Sequence, residues 1–171
     1  LARVNMLNDV VHPVIERLSE LASDRGMKIC CDMSAGLGGV WDRDLLSAVF
    51  QNLLSNAIKY GQDGGSIRLS GERDESAGVV RFNVWNEGRG FDPAAAERLF
   101  HKFSRLPMGG EDTRSGTGLG LFVAARIVER HGGTIRANSE PGRWADFIII
   151  LPDEAPADPG QAPAAGERVG S

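Results

Sequence analysis

The sequence predicts an α/β (α+β) sandwich, with three helices covering one face of a mixed, largely antiparallel sheet. Three observations carry that expectation. Residues 42–60 hold a broad apolar stripe at helical spacing, and residues 66–73 and 79–86 alternate apolar and polar side chains as half-buried strands do. Helices and strands also follow one another without the strict βαβ rhythm of a parallel fold. A chain of 171 residues, 42% hydrophobic, is long enough to bury one substantial core.

In order, a helix is expected over about residues 7–22 and a strand over 27–33. That strand contains the only cysteines, Cys30 and Cys31. Neighbours on a strand point to opposite faces, so one thiol is expected in the core and one outside, in a reducing cytosol and without a disulfide framework. The long helix over 42–60 is followed by the strand pair, in which Ile67 and Leu69, then Val80, Phe82 and Val84, mark the inward face. A short helix over 93–100 leads to a Gly-rich, charged segment ending near Gly116. The next helix runs to about His131, where "HGG" is a glycine stop signal. Strands over 134–138 and 144–151 close the domain, and no internal repeat is visible.

After Pro152 the sequence "DEAPADPGQAPAAGERVGS" has almost nothing to bury, so the domain is set at 1–152 and a disordered Pro/Ala/Gly-rich tail at 153–171. Asp153, Glu154, Asp158 and Glu167 against Arg168 hold most of the net charge of −4. Basic and acidic residues are otherwise interspersed, which argues against nucleic-acid partners and polybasic membrane contact. No apolar run approaches the roughly 20 residues of a bilayer span, and no signal peptide opens the chain. Because it starts at Leu1 rather than methionine, it is expected to be part of a longer protein.

The chemistry-bearing residues begin in "FQNLLSNAIKYG". Leu46, Val49, Phe50, Leu53, Leu54, Ala57 and Ile58 form the apolar stripe, while Asn52, Asn56 and Lys59, at i, i+4 and i+7, form a narrow polar stripe along its edge. That stripe is either a solvated edge or a site in which an amide oxygen meets Mg²⁺ and the ammonium meets phosphate. "NEGRG", 86–90, follows a strand directly and reads as a hairpin loop or as backbone that approaches a flat ligand. "SGTGLGL", 115–121, runs into a helix whose unpaired N–H groups suit phosphate. In "LFHKFSRL", Leu99, Phe100 and Phe103 stand at helical spacing beside Lys102 and Arg105.

Taken together and in this order, "NLLSNAIKY", "WNEGRGF", "LFHKFSR", "GTGLGLFVAARIVERHGG" and the closing "FIIILP" resemble the ATP-binding catalytic domain of bacterial sensor histidine kinases, within the GHKL superfamily. The resemblance spans about residues 4–152, and the combination of boxes is far more specific than any one of them. Gyrase, mismatch-repair and chaperone ATPases carry a water-activating glutamate one turn before the metal-binding asparagine, where this chain has Asn52.

The resemblance implies ATP and Mg²⁺ as cofactors. It implies that Asn56 coordinates the metal, with Asn52 supporting phosphate or metal-bound water, Lys59 contacting phosphates and Tyr60 lying against the nucleoside. Gly88 and Gly90 would shape an adenine pocket that Phe91 lines, and Gly116, Thr117, Gly118, Leu119 and Gly120 would cradle the triphosphate. Residues 101–115 would form a mobile ATP lid rooted by Phe100 and Phe103, with Arg105 reaching the γ-phosphate and Arg114 a second phosphate contact. Asn52, Asn56, Lys59 and Arg105 would thus carry phosphoryl transfer in an ATP-dependent protein histidine kinase. The acceptor histidine would belong to a separate dimerisation domain of the same parent chain, with residues 1–6 as remaining linker, and a response regulator would follow. His12 lacks the position and acidic neighbour of that acceptor, and neither His101 nor His131 is assigned chemistry.

The family usually has aspartate at Asn86. A neutral amide oxygen can accept the same adenine hydrogen bond at a cost on the order of 1 kcal/mol, while its donor group relaxes discrimination against guanine. Two other readings share these residues. A pseudokinase or nucleotide-responsive binding module is opposed by the intact Asn56, Lys59 and "GTGLGL", and an anti-sigma-type serine kinase by the phenylalanine box and the length of the lid.

Overall fold

The computed structural model describes residues 1–104 and 118–154. In chain order these form β1 (Ala2–Asn5), α1 (His12–Asp24), β2 (Lys28–Asp32), β3 (Gly38–Trp41), α2 (Arg43–Tyr60), β4 (Ser66–Asp74), β5 (Val79–Glu87), α3 (Gly120–Arg130), β6 (Thr134–Glu140) and β7 (Trp144–Pro152). The main sheet has the order β2-β4-β5-β7-β6, with β2 parallel to β4 and the other pairs antiparallel. It is the mixed, largely antiparallel sheet expected, and the three helices pack on one face.

Register sets which side chains meet them. Val80, Phe82 and Val84 of β5 pair with Leu151, Ile149 and Phe147 of β7, and all point to the helices. Phe82 takes Phe50 edge-on at 5.7 Å and Trp41 at 6.1 Å, contacts whose ring geometry adds to simple burial. The intervening positions Arg81, Asn83 and Trp85 lie on the other face, where the Arg68 guanidinium sits 5.4 Å from the Trp85 ring.

Four expectations are corrected. Residues 2–5, read as linker, form β1, which pairs with β3 in a small antiparallel sheet. The glycines of "GGVW" hid β3 because they erase the period-2 pattern. A side chain at Gly38 would strike Val4 O at 2.2 Å, so the close approach of β1 requires glycine. The first helix is preceded by a wide π-type turn, Met6–Val11, in which the His12 N–H reaches back five residues to Leu7 O. Pro13 has no N–H and needs room over the preceding turn, which the widening supplies. Residues 93–100 make two 3₁₀ turns, Pro93–Ala95 and Glu97–Phe100, rather than one helix. Finally, both cysteines are exposed on the edge strand β2, where helix cover is partial. Desolvation, then Asp32, pushes the Cys31 thiol above its ordinary range, so it is not an activated thiolate.

The expected tail boundary at Pro152 meets a continuing chain. Asp153 accepts the Val40 N–H at 2.8 Å and gives its own N–H to Gly78 O, and Glu154 bridges Val40. The Trp41 indole donates to Pro152 O at 2.8 Å. Residues 155–171 lie outside the described residues.

His131 is fully buried at the end of α3. Its Nδ1–H donates to Ile127 O at 2.8 Å and its Nε2 accepts the Asp42 N–H at 3.1 Å, tying α3 to the residue that caps α2. Asp42 in turn accepts the Leu45 N–H through its side chain. Replacing His131 by alanine leaves a buried donor, a buried acceptor and a cavity, so His131→Ala is expected to lower unfolding free energy by about 2–4 kcal/mol in urea titrations.

A second test concerns Asp146, whose Oδ2 accepts from Asn83 while Oδ1 is buried without a partner. Desolvation raises its carboxyl, against the lowering effect of Asn83. A raised folded-state pKa means the group favours folding when protonated, and that advantage is lost as pH rises through it. Asp146→Asn is therefore expected to raise Tm at pH 7, with the gain shrinking as pH falls through the raised folded-state value and gone once pH lies below the ordinary aspartate value of about 3.9.

Candidate nucleotide-binding site

The site is built around α2. Its apolar stripe, buried from Leu46 to Ile58, fixes the helix's rotation against the sheet and leaves Asn52, Asn56 and Lys59 half-buried along one edge. Tyr60 is exposed at the last turn, with the Lys59 ammonium 5.2 Å from its ring centre. The polar stripe is thus neither in the core nor freely solvated, and two other elements approach it.

One wall is the start of α3. A Cβ at Gly120 would lie 3.0 Å from Asn52 Oδ1, so the helix begins directly against the asparagine row. Among the described residues no side chain caps that start, and the positive end of the helix dipole lies there. Gly118 and Leu119 precede it, and the Phe103 N–H donates to Gly118 O at 3.1 Å, joining the two ends of the segment expected as the lid. Phe103 is itself strained, at φ 60, with an exposed ring. Phe100 packs edge-on against Phe147 at 6.2 Å. Arg105, Arg114, Gly116 and Thr117 lie outside the described residues.

The other wall is the loop after β5. Asn86 is buried at the strand's end, paired in register with Ile67, and its Nδ2 donates to Glu87 O at 3.1 Å. A Cβ at Gly88 would lie 3.1 Å from that same Nδ2, so the amide is packed against the glycine loop. Gly88 forms a bridge with Gly61, just past α2, and Gln62 N–H donates to Glu87 O at 2.9 Å. Phe91 is buried, 6.3 Å from the Phe147 ring.

Sequence reasoning missed what shapes this loop. Gly88 N–H donates to Arg143 O, and Gly142 N–H donates to Arg89 O. Ser139 Oγ accepts the Phe91 N–H at 2.8 Å and donates to Trp144 O at 2.8 Å. The hairpin joining β6 and β7 is therefore the mould for residues 88–91. It is stiffened in turn by Glu140, whose carboxyl the Arg143 hydrogen bond holds below its usual range and which also accepts from the Trp144 indole. Ser139 sits 48 residues from its partner in an otherwise ordinary alternating strand, so no local pattern marks it.

The asparagine row of α2 thus meets the start of α3 at one point and the turn after α2 meets the glycine loop after β5 at another. Against known proteins, the family profile described as "Histidine kinase-, DNA gyrase B-, and HSP90-like ATPase" matches residues 41–155. The chain belongs to that family. Among relatives of this ATPase domain, it is 37% identical over 147 residues to the adaptive-response sensory kinase SasA of Prochlorococcus marinus (strain MIT 9303), covering 85% of this chain and 39% of that one. The catalytic domain of histidine kinase ThkA superposes with a TM-score of 0.74 at 27% identity, covering 89% of this chain and 95% of the other. Full-length ShkA, solved in complex with AMPPNP, superposes with a TM-score of 0.78 at 29% identity, over 93% of this chain and 32% of that one. The chain spans well under half the length of the curated relatives it matches.

Within this histidine kinase-like ATPase domain, His12 is exposed at the start of α1, His101 is exposed and His131 is the buried joint described above. Among the described residues no helix is long and apolar enough to cross a membrane.

The loop's dependence on its mould is testable. Gly90 stands at φ +58, and a Cβ there would meet Ser139 Oγ at 2.4 Å and Trp144 O at 2.7 Å. Gly90→Ala combines left-handed strain with backbone collision and is expected to cost about 1–3 kcal/mol or more in chemical denaturation. Ser139→Ala, which only unties the loop, is expected to cost about 1–2 kcal/mol and to speed amide exchange at Phe91.

Proposed function

We propose that this domain binds Mg-ATP in the cleft between α2, the loop after β5 and the start of α3, and transfers the γ-phosphate to a histidine on a separate dimerisation domain in two-component signalling. The observation that carries this reading is the approach of Asn52 to Gly120, which sets the amide row of α2 against the N-terminal end of α3, where no side chain of the described residues caps the helix. A solvated polar edge has no reason to face a glycine-opened helix end; a polyphosphate site does.

The residues divide the work by chemistry. Asn56 would offer a neutral amide oxygen to magnesium, a hard cation that suits such a ligand. Among the described residues there is no group of three or more His, Cys, Asp or Glu side chains, so the metal arrives with the nucleotide rather than in a protein-built cage. Bound magnesium supplies neutralisation of the phosphate charge that develops on transfer. Asn52 holds a phosphate oxygen or a metal-bound water, Lys59 contributes a point charge, and the N–H groups at Gly118, Leu119 and Gly120 orient the chain of phosphates. Arg105 and Arg114, together with Gly116 and Thr117, complete the phosphate contacts. Tyr60, Gly88, Gly90 and Phe91 sandwich the base. Transfer then depends on positioning and charge, with little covalent work by the protein.

Asn86 accepts the hydrogen bond from adenine's exocyclic amine through Oδ1. One hydrogen of its amide is committed to Glu87 O, which supports an accepting rather than a donating role and thus adenine over guanine. A cytoplasmic location, a response regulator partner and phosphotransfer within one parent protein complete the proposal, in keeping with relatives that are sensor kinases.

Calorimetric titration with a non-hydrolysable ATP analogue, with and without Mg²⁺, tests the reading. Binding is expected to require magnesium, to be lost in Asn56→Ala and to weaken at least about tenfold in Asn86→Leu. Lys59→Met is expected to weaken ATP more than adenosine. Magnesium-independent binding, or a preference for GTP, overturns the assignment.

A further inference from the structure

We propose that Arg25 is a positioning residue for the nucleotide site, acting through the last turn of α2; this rests on the nucleotide-binding role proposed above. Arg25 follows α1, far in sequence from every residue of the cleft, and no sequence pattern marks it. Its guanidinium is aimed at the C-terminal end of α2, where the final carbonyls of any helix lack intrahelical partners. Nη1 donates to Ile58 O and, at 3.0 Å, to Lys59 O; Nη2 donates to Gly61 O at 2.9 Å; and Nε donates to Asp63 Oδ1 at 2.7 Å.

The end of α2 needs this outside help. Helices commonly close with a glycine in the left-handed region whose N–H groups satisfy the last carbonyls. Gly61 is instead extended, at φ −69 and ψ 166, and its N–H reaches only Ala57 O. Ile58 and Lys59 would otherwise rely on water. A planar fork with several fixed donors can hold three carbonyls at once, which a lysine cannot, and its charge also opposes the negative end of the dipole. Its side chain is only 22% exposed, so these bonds are partly shielded, whereas Asp63 is 75% exposed and the ion pair itself contributes little.

The gripped turn carries function on its other side. Lys59 and Tyr60 lie within it, Asn56 one turn earlier, and Gly61 and Gln62 continue directly into the bridge to Gly88 and the hydrogen bond to Glu87 O. Arg25 itself is anchored by its N–H to Ala22 O and by its carbonyl, which accepts the Gly64 N–H at 2.9 Å. The segment 58–62 is thereby clamped between Arg25 and the glycine loop. Releasing one jaw lets Lys59 and Tyr60 lose their fixed relation to Asn56 and to the base pocket.

The test compares Arg25→Ala and Arg25→Lys with Arg73→Ala. Arg73 clasps Gly38 O and Asp153 at the opposite end of β4, so its loss removes a similar guanidinium clasp away from the cleft. In the nucleotide-free protein, amide exchange at Gly61 and Gln62 is expected to quicken about tenfold in Arg25→Ala and to stay unchanged in Arg73→Ala. Below the melting range of all variants, Kd for a Mg-bound ATP analogue is expected to rise about tenfold in Arg25→Ala. Arg25→Lys should stay nearer to Ala than to wild type, while Arg73→Ala keeps wild-type affinity. Unchanged exchange at those two amides, or affinity lost equally in Arg73→Ala, overturns the positioning role. A wild-type chain that binds no ATP analogue overturns the proposed function and this inference together, a case distinguished from failure of Arg25 alone because there the wild type still binds.

Discussion

The rotational setting of α2 is the constraint on which the rest of the structure depends. Seven of its side chains are buried, and Phe50 locks edge-on against Phe82 of the central strand. A helix advances about 100° per residue, so a slip of one position would carry Asn52 toward the core and a leucine into the cleft. Burial of the apolar stripe makes such a slip prohibitive, because amides without partners would replace packed hydrocarbon. The same helix is held at both ends by side chains from elsewhere, His131 at Asp42 and Arg25 beyond Ile58. An element that must present polar atoms to a ligand while filling the core is thus fixed in azimuth by packing and in length by its caps.

The opposite wall follows a different logic. Residues 88–91 alternate glycine with Arg89 and Phe91, and their path is impressed on them by the hairpin between β6 and β7 through Ser139, Trp144 and Arg143. Rigidity there comes from satisfied backbone polarity in a partly buried setting, where each unmade hydrogen bond would be costly. Apolar packing orients the phosphate side of the cleft and hydrogen bonding shapes the base side.

What was legible in the residues, and what was not, divides along the range of the interactions. Elements with strong local periodicity, such as α2 with its apolar stripe and β4 and β5 with their alternation, were placed to within a residue or two of their observed ends. The asparagine row and both glycine segments were also readable, since chemistry and spacing coincide within a few neighbours. The failures were non-local. β1 and β3 stabilise one another and are too short and too glycine-rich to announce themselves, and the cysteine pair depended on how far the helical layer extends over β2. Arg25 and Ser139 act on partners more than thirty positions away, and each looks ordinary in its own segment.

The small sheet of β1 and β3 has a consequence for how this domain comes into being during synthesis. Val40 and Trp41 are completed only by Pro152, Asp153 and Glu154, the Trp41 indole meeting a carbonyl 111 positions further along the chain. β5, at the centre of the main sheet, likewise waits for β7. Contacts of that span bring a large loop-closure cost before any reward. The amino-terminal half therefore emerges from the ribosome with Trp41, Phe50 and Phe82 lacking part of their final cover. The nascent chain must carry that apolar surface until β7 of this domain has been made, and the domain closes in a late, cooperative step rather than growing outward from β1.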